Sequence, residues 1–239
     1  MYIIHDGLQV LFNSQDDFGQ IPTNFILIPS LLDGHHECVF PQPPFGDRDR
    51  VKSQFFSEDL GVLDVPFSKD GDIRKRVHLL PNPCMFRVNE VLFAATSNDV
   101  LFALSSDEVS CTAGAGPGFH RISHLAGHVL KQRSFAPQFP PPANSLAQLD
   151  MRQARHWQMQ RVAPDVLILP SKLAYLAKDV GGTVVVNPGQ MAKGTSGGTF
   201  AEMAIHPLKE SDLRDAKIAG KEEIPHAVAA RTCVNVLRS

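Results

Sequence analysis

Apolar positions gather into short runs along this chain, punctuated by proline, glycine and asparagine. The runs Phe25–Ile28, Arg76–Leu80, Val91–Ala95, Val166–Leu169, Thr183–Val186, Thr199–Ile205 and Ala227–Leu237 are rich in valine, isoleucine, leucine and phenylalanine. Their length, composition and boundaries predict β-strands. Several are apolar at consecutive positions, the pattern of a sheet covered on both faces. Two segments change to a helical period. "SNDVLFALSSDEVS" opens on Ser97 or Asn98, either a good N-cap. "GPGFHRISHLAGHVLKQR" repeats Phe119, Ile122, Leu125, Val129 and Leu130 near a 3.6-residue period, and Lys131 and Arg133 suit its C-terminal end. Residues 1–23 are ambiguous: "HDGLQVLF" fits a short helix that ends before the turn-prone Ser14–Gly19. Phe40–Arg50 and Ser134–Ser145 read as extended surface loops, because proline withdraws backbone donors. The charged stretch Leu208–Pro225 reads as an exposed excursion before the last strand. Many strands with few helices make a mixed α/β sheet protein.

Composition narrows the class. The 239 residues fit one large domain or two small ones. With 43% hydrophobic and 20% charged residues the chain can build a packed core. A net charge of −2 with no basic stripe disfavours a chain that grips nucleic acid by itself. Cys38, Cys84, Cys111 and Cys233 are scattered, which argues against a zinc knuckle or a disulfide scaffold and fits a reducing compartment. The N-terminus lacks the pattern of a signal peptide, and no apolar run reaches the length of a membrane helix. The expectation is a soluble intracellular protein.

Four places carry candidate chemistry. Asp33, His35, His36 and Glu37 follow the run Phe25–Ile28, as the ligands of metal hydrolases often follow a core strand. A two-metal site needs more loops than one; the Asp-x-His of this chain, Asp33-Gly34-His35, lies within this same loop, and Gly-His-x-His does not occur. The bland reading is that these side chains hydrogen-bond their own loop. His120, His124 and His128 fall at i, i+4 and i+8, on one helix face, where two histidines can hold zinc. The glutamate of a His-Glu-x-x-His site is replaced by Leu125, which favours a merely polar face. "NPGQMAKGTSGG" has glycines spaced as in a phosphate loop, but Lys193 lies on the wrong side of Gly194, so a turn-rich hairpin leading to Thr199 is expected. Trp157, near Arg152, Arg155 and Arg161, reads either as a base-stacking ring or as packing, and packing is commoner.

Read together, the segments "IPSLLDGHHE", "FPQPPF", "RVHLLPNPC", "TSNDVLFAL", "QRSFAPQFPP", "PDVLILPSKL" and "VNPGQMAKGTSGGTFA" occur in an order that resembles the C-terminal part of the family of B subunits of DNA polymerase alpha. Pro29, Ser30, Asp33 and His36 resemble that family's Pro-Ser-x-x-Asp-x-x-His segment. The resemblance runs from about Phe25 to Ile205 and resumes near Val228–Leu237. It implies a calcineurin-like phosphoesterase fold, a two-sheet sandwich flanked by helices, that has lost its catalytic metals. On this reading residues 1–239 are a single partial domain, the C-terminal portion of that fold. The start at 1–23 is uncertain, 208–225 is an exposed loop, and there is no oligonucleotide-binding-fold domain. The "PSLLDGHH" loop then stands where active relatives carry Gly-Asn-His-Asp/Glu, and "LPSKL" stands where they carry Gly-His-x-His. Asp33, His35, His36, Ser171 and Lys172 would mark a vestigial site, with no catalytic residue, no metal and no cofactor. Lys172 would bring a positive charge where a cation would sit.

The resemblance implies a non-catalytic scaffold rather than an enzyme. The expected partner is the zinc-containing C-terminal domain of the polymerase alpha catalytic subunit, with primase reached through the complex. DNA would be met only through that complex, no membrane is implied, and the expected location is the nucleus. The alternative, an active metal-dependent phosphoesterase, requires a ligand set that the quoted loops do not contain.

Overall fold

The computed structural model describes residues 24–33, 38–45, 77–109, 120–141, 148–160, 162–209 and 226–239. The possible helix within 1–23 and the parts of the expected loops at 46–50, 142–145 and 210–225 lie outside these residues. In the parts described, Phe40, Gln42 and Phe135 are buried, so the proline-rich stretches Phe40–Phe45 and Ser134–Pro141 are not simply surface loops. Contacts divide the chain into two compact units, Met1–Asn82 and Pro83–Ser239.

The first unit contains β1 (Phe25–Leu27), β2 (Val39–Phe40) and β3 (Val77–Leu79). β1 and β3 pair in parallel, Phe25 opposite Val77 and Leu27 opposite Leu79. The ladder ends where Pro29 removes a donor. Beyond it, the buried Gln42 and Asn82 exchange both backbone hydrogen bonds, at 2.7 and 3.0 Å. Their side chains add to this: Asn82 donates to Gln42 Oε1 at 2.8 Å, and Gln42 Nε2 donates to Ser30 O at 3.1 Å. Buried amides are stable only when satisfied in this way. The three loops that follow the three strands are thereby tied together.

The second unit begins with β4 (Cys84–Val88) and β5 (Val91–Ala95), followed by α1 (Val100–Asp107) and α2 (Arg121–Gln132). Next come β6 (Gln148–Leu149), a 3-10 segment at Met151–Trp157, β7 (Val166–Ile168), β8 (Leu176–Val180) and β9 (Thr183–Asn187). The unit closes with β10 (Ala192–Lys193), β11 (Ser196–Gly197), β12 (Thr199–Ile205), α3 (Val228–Arg231) and β13 (Thr232–Arg238). Five strands form one sheet in the order β4-β5-β7-β9-β8. Its centre, β5-β7-β9, is parallel, and the two edges are antiparallel. The central strands are buried on both faces, as their unbroken apolar runs require.

One face carries Val91, Val166, Val184 and Val186, closed by Val228 of α3. The β12–β13 pair lies on this face. Its alternating Ala201, Met203, Ile205 and Val234 pack inward, while Phe200, Glu202, Ala204, Cys233, Asn235 and Leu237 are exposed. The period of two also turns Leu92, Ala94, Leu167 and Val185 to the opposite face, and all are buried. α2 buries Leu125, Ala126 and Val129 and packs along β8, where Gly127 leaves room beside Val180. The unit is thus a mixed α/β assembly of several sheets with few helices, as the apolar runs predict.

The differences from the expectation are local. The final run divides, because Val228–Arg231 forms a helical turn before β13 begins at Thr232. Ala229 and Ala230 favour helix, Thr232 Oγ1 donates to Val228 O at 2.6 Å, and Ala227 enters the turn with φ 41°. α1 is capped by Asp99, whose carboxylate accepts from Phe102 N at 2.9 Å, rather than by Ser97 or Asn98. α2 begins at Arg121 with His120 as N-cap, and Phe119 lies outside the described residues. Two edge strands went unread. β4 is joined to β5 through Asn89, at φ 53°, and β8 to β9 through Gly181-Gly182, at φ 65° and 90°. Both are compact hairpins of the kind that positive φ permits.

Arg231 staples the closing layer to the sheet. Its guanidinium, largely buried, donates to His206 O at 2.7 Å, His226 O at 3.1 Å and Glu90 Oε1 at 2.9 Å. Glu90's own backbone N–H, together with Arg231, holds its carboxyl below the usual carboxylate range. Arg231→Ala is expected to lower unfolding stability by about 2 kcal/mol, since three acceptors lose a charged donor. Glu90→Gln, at an exposed site, is expected to have a much smaller effect. A carboxyl depressed in the fold stabilises it above the unfolded carboxylate range and stops doing so on acidification. Denaturant titrations of both variants against the parent chain at neutral and acidic pH would therefore converge for Glu90→Gln and stay apart for Arg231→Ala. Cysteine reactivity gives a second check. Burial pushes the Cys84 thiol up to about 12, whereas Cys38 and Cys233 are exposed. Iodoacetamide at mildly alkaline pH should label Cys38 and Cys233 in the native protein and reach Cys84 only on unfolding.

Candidate functional site

In open α/β sheets, ligands collect beyond the carboxyl ends of parallel strands. Here those ends belong to β5, β7 and β9, and the polar residues at or beyond them include Thr96, Asp99, Ser171, Lys172 and Asn187. Thr96, Ser171 and Asn187 are buried, so each of their polar atoms needs a partner.

Asn187 supplies most of those partners. Its Oδ1 accepts from Ser171 N and from Gly189 N, each at 2.9 Å. Its Nδ2 donates to Ala174 O at 3.0 Å and to Leu173 O at 3.4 Å. One carboxamide therefore joins the β7–β8 loop to the turn after β9. Ser171 Oγ accepts from Leu173 N at 3.1 Å, a local turn that uses the hydroxyl. Asp99 Oδ2 accepts from Lys172 N at 2.8 Å while Oδ1 caps α1, so this carboxylate ties β7's loop to the helix. The Lys172 ammonium lies 5.8 Å from the centroid of the Phe102 ring, within cation–π range. The side chains of Asp99, Ser171 and Asn187 at this edge are bonded to the backbone, and the exposed Lys172 ammonium faces Phe102.

Of the five residues expected to mark a vestigial site, Ser171 and Lys172 lie at this edge of the second unit. Asp33 belongs to the first unit, where its Oδ2 accepts from Ser30 N at 2.8 Å and its N donates to Ser30 O at 3.1 Å. Ser30 Oγ in turn accepts from Leu32 N at 3.2 Å. His35, His36 and Glu37 lie outside the described residues. Among the described residues no three histidine, cysteine, aspartate or glutamate side chains converge closely enough to hold a metal ion. Nor is any helix among them long and apolar enough to cross a membrane.

The other candidates resolve individually. The glycine-rich segment forms the β10–β11 hairpin around Gly194, at φ 64°. Gly189, at φ 78°, must stay bare because a Cβ there would meet Thr199 Oγ1 at 2.3 Å. That hydroxyl donates to Pro188 O at 2.7 Å, which locks the loop onto β12. Trp157 is buried beside the end of α2: Phe135 N donates to its carbonyl at 2.9 Å. His124 and His128 meet edge to face on α2, with ring centroids 4.7 Å apart, whereas His120 sits outside the helix proper as its N-cap.

Sequence reading missed Asp99 as a cap and Asn187, Gln42 and Asn82 as buried joints. Asn187-Pro188-Gly189 does carry a signal, since asparagine before a turn commonly bonds the backbone two residues on. Gln42 and Asn82 carry none, because their partnership spans 40 residues.

Comparison with known proteins places this geometry in a lineage. Residues 7–178 match the family of DNA polymerase alpha/epsilon B subunits. The DNA polymerase alpha B subunit of Mus musculus is 36% identical over 183 residues, 77% of this chain and 26% of that protein. Its namesake from Schizosaccharomyces pombe is 37% identical over 165 residues, covering 66% of this chain and 27% of the relative. That of Drosophila melanogaster is 31% identical over 229 residues, covering 85% and 34%. The chain therefore spans about a quarter to a third of the length of these curated relatives. With nearly three quarters of its residues inside the match, the chain belongs to the family of DNA polymerase alpha/epsilon B subunits.

Proposed function

We propose that this chain is a non-catalytic accessory component of a DNA polymerase alpha assembly. The observation that carries the reading is the match of residues 7–178 to a family of B subunits. The proposed partner is the C-terminal domain of the polymerase alpha catalytic subunit. Primase and DNA are engaged through the complex, in the nucleus, in support of replication initiation. We read the scaffold as a calcineurin-like phosphoesterase fold without catalytic metals. The internal use of Asp99, Ser171 and Asn187 supports that reading, because side chains committed to the backbone have few lone pairs left for a cation.

Co-expression of the full chain with the catalytic subunit's C-terminal domain, followed by size exclusion, tests the partner. A stoichiometric complex is expected, and separate elution of two soluble species would sink the assignment. The catalytic alternative is tested with bis(p-nitrophenyl) phosphate and manganese. No turnover above buffer is expected; turnover abolished by His35→Ala or His36→Ala would establish a phosphoesterase instead. Asn187→Ala probes the joint at the sheet edge. It removes four hydrogen bonds at a buried site and should destabilise the fold by on the order of 3 kcal/mol, read by thermal or denaturant unfolding.

A further inference from the structure

The sequence has no basic stripe, yet the fold draws two short basic segments together. The carboxyl end of α2 runs into Arg133, and the chain there pairs with the end of the 3-10 segment. Met159 N donates to Arg133 O at 2.8 Å, Phe135 N donates to Trp157 O at 2.9 Å, and Ser134 bridges Gln158 in antiparallel fashion. Lys131 and Arg133 thereby join Arg152, Arg155 and His156, and all five are exposed. The 3-10 segment has 7 residues, so at about 2.0 Å per residue Arg152 stays within reach of the same partner. Among the described residues, none of these four lysine and arginine side chains makes an ion pair or a hydrogen bond, whereas Arg121 and Arg231 are held by Glu108 and Glu90.

We propose that this surface binds the phosphate backbone of duplex DNA without reading its sequence. The opposing charge nearby is small. Asp150 Oδ1 accepts from Arg152 N at 3.0 Å, and Asp179 of β8, the strand along which α2 packs, accepts from Gly182 N at 2.8 Å. The end of α2 adds about half an elementary negative charge. The four cations exceed these together, on a chain whose formal net charge is −2. Three of the four are arginines, whose planar fork matches phosphate oxygens. The two aromatic residues of these segments, Phe135 and Trp157, are buried, so they offer no ring for a base to stack on. Stacking is the device that single-strand binders add to a positive groove, and its absence from these segments favours the duplex. Contacts to phosphates position a protein and carry no sequence information. The choice of DNA over an acidic peptide rests on the accessory role proposed above, within which this surface adds a direct contact to the grip of the complex.

Fluorescence anisotropy of a short labelled DNA duplex of mixed sequence, titrated with the full chain alone at several salt concentrations, tests the proposal. Binding is expected at low salt, and the logarithm of the association constant should fall with the logarithm of salt concentration at a slope of about −3.6, for four phosphates neutralised. Arg133→Gln, Arg152→Gln and Arg155→Gln should each weaken binding severalfold and make the slope shallower by about one. Arg155→Lys keeps the charge and should keep the slope, and Arg238→Gln, on β13, should change nothing. Thermal unfolding of each variant checks that the fold is intact. Absence of salt-dependent binding in the parent chain, or binding that persists when Arg133, Arg152 and Arg155 are all replaced by Gln, overturns the proposal. Tighter binding of labelled polyglutamate than of the duplex overturns it in favour of an acidic protein partner, and tighter binding of the single strand overturns the choice of duplex. The catalytic subunit's domain is absent from this titration, so its outcome is separate from that of the co-expression experiment.

Discussion

A single carboxamide decides how the carboxyl edge of the central sheet is organised. Asn187 stands fully buried at the end of β9 and satisfies four backbone groups drawn from the loop after β7 and the turn after β9. Parallel strands covered on both faces leave their last amides and carbonyls without water, so something inside the protein must pair them. Asn187 does this on one side of β7, and Asp99 does it on the other by accepting from Lys172 N and from the first turn of α1. These two side chains thus tie the loops after β7 and β9 and the start of α1 to one another.

How much of this was legible in the sequence follows from range. The central strands were readable because burial on both faces leaves an uninterrupted apolar run, as in Val184-Val185-Val186. Edge strands obey a weaker rule. β8 reads Leu-Ala-Lys-Asp-Val and is exposed at its three middle residues, so its composition resembles a loop. Only Gly181-Gly182 betrays the hairpin. The same logic explains α1, where three polar residues in a row could each cap and only the fold selects Asp99. The sequence shows Asp33, Ser171 and Lys172 as members of an incomplete ligand pattern. The use to which Ser171 and Asn187 are put was not legible, because it depends on partners from separate loops.

Family membership and geometry bear on different questions. The match to the family ends at Lys178, within β8, although the Drosophila relative aligns with 85% of the chain. The strands that close the valine face, β12 and β13, lie beyond residue 178; they pair over seven residues without a break and half-bury alternate side chains. Their alternation stands on its own physical logic, with a polar or small residue outward at most steps and an apolar residue inward at most, Thr199 and Thr232 excepted.

The closing layer also sets a timetable. Arg231 and Glu90 are 141 residues apart in sequence, and Val228 is the last member of a core whose first member is Val91. On a ribosome, the valine face of the sheet is made long before the segment that seals it. Contacts of such separation form late, and an unsealed apolar sheet face is a surface on which nascent chains are held or lost. The order of synthesis thus makes β13 the step at which the second unit passes from a partly covered intermediate to a closed one.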